Sequence, residues 1–160
     1  MKHAILEISG CDRTGKTTLR NALYDSFSPG RYNMHFLLER GIFDGIVLDD
    51  YFGRTIDNVV NDRWSFLKNS HDYYAVIFLY ASQDTIESRQ QEEIDNGYLD
   101  NSSYRRMQID VNRMLSLYFD YIDHLKKMTE IDVYEYNTDE MSTKQIVEDI
   151  LKKENDIEDR

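Results

Sequence analysis

The 160-residue chain carries a net charge of −11 and is 41% hydrophobic and 12% aromatic, enough for a single core in about one domain. That charge excludes broad binding to duplex nucleic acid or anionic membrane, an affinity that rests on Lys and Arg neutralising phosphates. The single cysteine, Cys11, excludes an internal disulfide, and the chain has no C-x-x-C pair or zinc-spaced cluster.

Residues 3–9, HAILEIS, read as a first strand that stops at Gly10. Glu7 interrupts this apolar run, so no signal peptide is expected, and no window approaches the ~18 apolar residues of a membrane span. A cytoplasmic protein is the expectation. Thr17 to Phe27 carries Leu19, Leu23 and Phe27 at four-residue spacing, an amphipathic helix stopped by Ser28, Pro29 and Gly30. Residues 32–39 read as a second strand and Ile42 to Ile56 as a helix. Tyr73 to Ala81 is apolar throughout, as a strand covered on both faces must be.

Gln83 to Ile94 is predicted helical, and residues 95–103, DNGYLDNSS, form a polar break expected to be a loop. Helical spacing returns over Tyr104 to Lys127, followed by a strand at Ile131 to Tyr136 and a helix at Ser142 to Lys153. Residues 154–160 are expected to fray. Strands alternating with helices predict an α/β domain over residues 1–153: three layers, with a mainly parallel central sheet of four to five strands flanked by helices.

Gly10-x-x-x-x-Gly15-Lys16-Thr17 matches the P-loop pattern between a strand and a helix, the context that gives the pattern meaning. Backbone N–H groups of residues 10–18 (Gly10, Cys11, Asp12, Arg13, Thr14, Gly15, Lys16, Thr17, Thr18) and the positive end of the following helix would wrap the β-phosphate of a nucleotide. Lys16 would reach the β- and γ-phosphates, and the Thr17 hydroxyl would ligate Mg²⁺ beside ATP. No Asn-Lys-x-Asp motif for reading guanine occurs, and Asp50-x-x-Gly53 lies late in a helical stretch rather than after a strand. The carboxylate of Asp12 is the anomaly, because an anion-binding loop should not favour an acid.

The loop GCDRTGKTT resembles that of thymidylate kinases, where the second residue after the first glycine is acidic and the next is often Arg. The resemblance implies that Asp12 faces the acceptor sugar near its 3′-hydroxyl and that Arg13 reaches the transferring phosphoryl group. FLLERG, Phe36 to Gly41, resembles the acid-arginine pair that ends a strand in thymidylate kinases and deoxynucleoside kinases. By that likeness Arg40 grips the acceptor or transferring phosphate, and Glu39 sits near Mg²⁺ or, in a nucleoside kinase, deprotonates a 5′-hydroxyl. Residues 79–89 resemble the approach to the family's mobile lid, which would span roughly 89–106 with Arg89 at its entry. Residues 136–151, YNTDEMSTKQIVEDIL, resemble the last strand, adenine-contacting loop and closing helix.

The expectation is therefore an ATP- and Mg²⁺-dependent kinase of a deoxynucleoside monophosphate, most plausibly dTMP or a 5-substituted dUMP. Two alternatives stand beside it: a deoxynucleoside kinase, and a nucleotide-binding protein or switch without turnover. The partner is a small nucleotide, and a homodimer is left open. Phe43, Tyr51 and Phe52 follow the acid-arginine pair, where a ring could stack on an acceptor base or else fill a helix core. Arg54 could hold the acceptor phosphate or be an exposed helix-end residue. Arg105 and Arg106 could close with the lid or be solvated. His3, His35, His71 and His124 show no metal spacing.

Overall fold

A computed structural model describes residues 4–26, 35–54, 62–66, 69, 73–97, 109–128 and 130–158. Its strands are β1 (Ala4–Ser9), β2 (His35–Glu39), β3 (Tyr73–Tyr80) and β4 (Asp132–Asn137). Its long helices are α1 (Lys16–Ser26), α2 (Ile42–Tyr51), α3 (Gln83–Asp95), α4 (Val111–Leu125) and α5 (Thr143–Glu158). The described strands form one sheet in the order β2-β1-β3-β4, every pair parallel.

Alternation along β3 builds the three layers. Tyr74, Val76 and Phe78 face a core completed by Phe43 and Ile46 of α2, Ile86 of α3, and Met114, Tyr118 and Ile122 of α4. Ala75, Ile77 and Leu79 face the opposite core, with Leu19 and Leu23 of α1 and Ile146 and Ile150 of α5. With both faces of β3 covered, it can be apolar along its length, as the sequence predicts. The chain leaves β1 for β2 on one side and reaches β3 on the other, so a crevice opens at the carboxyl ends of β1 and β3.

Three helix ends differ by more than two residues from those predicted. Helix α2 ends at Tyr51 rather than Ile56 because Gly53 adopts φ 65°, a left-handed turn that closes the helix, and residues 55–56 lie outside those described. Helix α4 begins at Val111 because the Asp110 side chain caps the Arg113 N–H at 3.0 Å; residues 104–108 of the expected helix are likewise outside the described residues. Helix α5 runs past Lys153 to Glu158. Glu154 is only 3% exposed and accepts hydrogen bonds from the hydroxyls of Tyr73 (3.3 Å) and Tyr134 (3.4 Å), which draws residues expected to fray onto the sheet.

Candidate active site

The loop after β1 is fixed by sterics at its first glycine. Gly10 has φ 139°, and a Cβ there would lie 2.1 Å from the Leu79 carbonyl oxygen of β3, so only glycine lets the loop pass the sheet end. Thr14 is buried and its hydroxyl donates to the Cys11 carbonyl at 2.8 Å. Lys16, the first residue of α1, folds back into the loop and donates to the carbonyls of Gly10 (2.7 Å) and Cys11 (2.6 Å). Its side chain is 5% exposed, and burial lowers its pKa against the opposing pull of Asp44 and Asp12. Burial likewise pushes the Cys11 thiol up to about 12, which leaves it inert.

The acid in the loop has a counterion. Asp12 is paired with Arg40 and lies 4.0 Å from the Lys16 ammonium, so the structure surrounds its carboxylate with positive charge. Arg13 and Arg40 both take left-handed backbone conformations (φ 65° and 61°) that disfavour side chains of this size, a strain that marks both turns. The Arg13 side chain turns toward α3, where Glu93 accepts from its Nε (3.1 Å) and a terminal nitrogen (2.7 Å). Arg89, one turn earlier on α3, donates to the Arg13 carbonyl at 2.6 Å.

At the end of β2, Glu39 accepts from the Thr17 hydroxyl at 2.7 Å and pairs with Arg20 at 3.1 Å. A hydroxyl beside a carboxylate is a donor set of the hard oxygens that Mg²⁺ takes. Among the described residues no group of three or more His, Cys, Asp or Glu side chains could hold a metal by itself. Any Mg²⁺ there would share its coordination with nucleotide phosphates and water.

Beneath this turn lies a buried acid that sequence reasoning treated only as a break in a strand. Glu7 is fully buried on β1 and accepts from Ser9 Oγ (3.2 Å), the Phe43 N–H (3.1 Å), the Asp44 N–H (2.9 Å) and the Tyr74 hydroxyl. It thereby satisfies orphan donors at the start of α2 and meets the positive end of that helix. A Cβ at Gly41 would come within 2.6 Å of the Glu7 carboxylate. Asp44, 1% exposed, accepts from the Gly10 N–H (3.4 Å) and the Tyr118 hydroxyl (2.9 Å). Burial, opposed by Lys16, pushes its carboxyl up to about 6.

Two clefts open on either side of the P-loop. The first, about 170 Å³, is bounded by residues 10–13 of the loop, Arg40 and Asp44, with Leu48, Phe52, Ile86 and Met114 among its apolar walls. The second, about 700 Å³, is bounded by Gly15, Thr18, Arg89, Glu92, Asn96 and, after β4, Thr138, Met141, Ser142 and Thr143. Arg13 borders both.

Of the ring positions weighed as base-stacking, Phe43 is fully buried against Tyr118 and does not line the cleft, whereas Phe52, 52% exposed, does. Tyr51 packs under Arg113 and its hydroxyl accepts the Asp110 N–H at 2.8 Å. Arg54 pairs with Asp49 at 3.5 Å over the Phe52 ring and does not itself line either cleft. The first part of the expected lid, residues 89–95, belongs to α3; residues 98–106, with Arg105 and Arg106, lie outside the described residues. Sequence reasoning did not single out Asp44, Gln90, Glu93 or Tyr118. An acid at position i+4 from Arg40, inside the apolar run IFDGIVL, was the available signal for Asp44. Among the described residues no helix is long and apolar enough to cross a membrane.

No family model matches the sequence, and no curated protein matches it. Solved structures do match by shape. The YorR protein of Bacillus subtilis, whose structure is a complex with phosphorylated GDP, superimposes with a TM-score of 0.63 over 92% of this chain and 93% of its own, at 16% identity. Thymidylate kinase from Candida albicans gives 0.56 over 94% and 90%, at 13% identity. At such identities the likeness establishes the fold alone, an α/β fold with a parallel sheet flanked by helices.

Proposed function

We propose that the chain transfers the γ-phosphoryl group of ATP to a deoxynucleoside monophosphate, most plausibly dTMP or a 5-substituted dUMP, giving the diphosphate. The observation that carries this reading is the pair of clefts meeting at one P-loop, with Arg13 bordering both and Asp12 and Arg40 at the mouth of the narrower. The donor lies in the open cleft, its phosphates under the loop N–H groups and its base against residues 138–143. The acceptor lies in the narrow cleft, its phosphate toward Arg40 and its sugar toward Asp12.

An acceptor phosphate oxygen forms the new bond to the γ-phosphorus as the bond to the β–γ bridging oxygen breaks, and that electron pair leaves with ADP. Phosphoryl transfer asks the protein mainly for alignment and charge neutralisation. Lys16 exchanges its loop carbonyls for the β- and γ-phosphate oxygens. Arg13 turns from Glu93 to the transferring group, and Arg89 steadies the loop through the Arg13 carbonyl. Arg40 offers the planar fork that suits a phosphate. Thr17 and Glu39 are the residues that would hold Mg²⁺, which when bound neutralises charge on the β- and γ-phosphates.

A deoxynucleoside kinase would need Glu39 as a base facing a 5′-hydroxyl. Its engagement by Thr17 and Arg20 on the α1 side favours the metal-side role and hence the monophosphate acceptor. Incubation with ATP, Mg²⁺ and a panel of nucleosides and monophosphates, followed by ³¹P NMR, tests the reading. New diphosphate from a monophosphate is the expected product. Monophosphate from a nucleoside would install the alternative, and nucleotide binding without any product would make the chain a binding protein.

A further inference from the structure

Helix α3 grips residue 13 of the P-loop twice. Arg89 donates to its carbonyl at 2.6 Å, and Glu93, one turn later on the same face of the helix, accepts from its guanidinium at 2.7 and 3.1 Å. The main chain is thus held by one residue and the side chain by another. The two members of the ion pair differ in exposure, the Arg13 side chain being 7% exposed and that of Glu93 45%. A guanidinium buried to that extent needs an anion, whereas a half-exposed carboxylate is solvated whether or not it is paired. Parting the two therefore costs little at Glu93, provided that a second anion comes within reach of Arg13. Arg13 borders both clefts and Glu93 the open one, where the polyphosphate of a donor would be such an anion.

We infer that Glu93 is a positioning residue that holds the Arg13 side chain against α3 until the phosphates of the donor displace its carboxylate, an assignment that rests on the donor role proposed for the open cleft. Arg89 keeps the backbone of residue 13 in place during the exchange, so only the side chain moves. A triphosphate offers the guanidinium more charge and more oxygens than one carboxylate does, which drives the exchange forward. AMP lacks the β- and γ-phosphates and leaves the pair intact. Because the empty protein already satisfies Arg13, the pair weakens donor binding by the stability it lends to the ligand-free state. The same contact therefore acts in opposite directions, supporting the empty fold and opposing the donor.

Two measurements on the full chain test this, calorimetric titration with the β,γ-imido analogue of ATP in Mg²⁺ buffer and thermal unfolding without ligand. In Glu93→Gln the analogue should bind about three- to tenfold more tightly, while the ligand-free Tm falls by about 2–4 °C. AMP should gain nothing. In an Arg13→Ala background both effects of Glu93→Gln should disappear, because the residue acts through that guanidinium. An affinity that falls together with the Tm would make Glu93 a structural or donor-binding residue and overturn the assignment. A gain that persists without Arg13, or that AMP shares in full, would be general relief of charge repulsion and would overturn it equally. Failure of the wild type to bind the analogue at all is a different result, because it removes the donor reading of the open cleft and the inference with it.

Discussion

On one side of the P-loop lies a cleft of about 170 Å³ with six apolar side chains in its walls and its charges paired at one end. On the other side lies an opening of about 700 Å³ bordered by arginines, acids and hydroxyls together with Leu19, Leu79, Met141 and Ile146. Narrow walls and a few placed polar groups select a ligand more closely than a wide opening does. On the proposed reading, choice of acceptor and use of donor are built separately and meet at Arg13 of the loop.

Lys16→Ala should have the largest effect, a loss of about 100- to 1,000-fold in turnover, because it removes a preplaced charge from the group in transfer. The loss should be the same for every acceptor base, since Lys16 belongs to the loop rather than to either cleft. Turnover near wild type, measured by a coupled ADP assay, would remove the P-loop from the donor role.

Gly41→Ala should cost about 2–3 kcal/mol of stability in denaturant unfolding. The new methyl would meet a Glu7 carboxylate that its hydrogen-bond partners hold in place, and neither group has room to yield. Because Glu7 sets the start of α2, the surviving folded enzyme should lose acceptor binding more than ATP binding. An equal loss at both clefts would break the division.

Asp44 gives the acceptor side a pH signature. Its folded pKa of about 6 lies above the unfolded 3.8, so between those values the native state holds a proton that the unfolded chain has released. Its contribution is therefore greatest below about pH 4 and is lost as the pH rises through 6. The stability of the wild type minus that of Asp44→Asn should fall by about 2–3 kcal/mol between pH 4 and pH 7. A flat difference would mean that Asp44 stays ionised throughout, paired with Lys16.

The smallest effect concerns the pair at the mouth of the narrow cleft. Asp12→Asn and Arg40→Lys should each weaken use of the acceptor, and the double variant should fall short of the sum by about 1 kcal/mol, since the two side chains already meet. Strict additivity in kcat/KM would separate their roles. Comparing a 3′-hydroxyl with a 3′-deoxy acceptor in Asp12→Asn asks further whether that carboxylate also reads the sugar.

What the sequence made legible was local. Strand β3 and the glycine loop follow from short-range patterns, an unbroken apolar run and fixed glycine spacing, whereas the left-handed turn at Gly53 that ends α2 does not show in the helical spacing. The P-loop was legible for the same reason, because one continuous segment supplies it. The narrow cleft draws its walls from α2, α3 and α4, whose relative rotation no local pattern encodes. Phe43 was therefore weighed as a stacking ring although it faces Tyr118, and Phe52, beyond the end of α2, takes the exposed position. Glu7 and Glu154 misled in the same way, since an acid inside an apolar strand or near a chain end is explained mainly by partners 20 to 81 residues away.

The central claim, two clefts sharing one loop, is tested most directly by a bisubstrate ligand: adenosine joined through five phosphates to the deoxynucleoside of the best acceptor. If both ends are seated at once, it should bind one per chain and at least about 100-fold more tightly than ATP or the monophosphate alone, because the second end binds at high effective concentration. Lys16→Ala should abolish most of that gain. Affinity equal to that of ATP, with the monophosphate still able to bind beside it, would contradict the account.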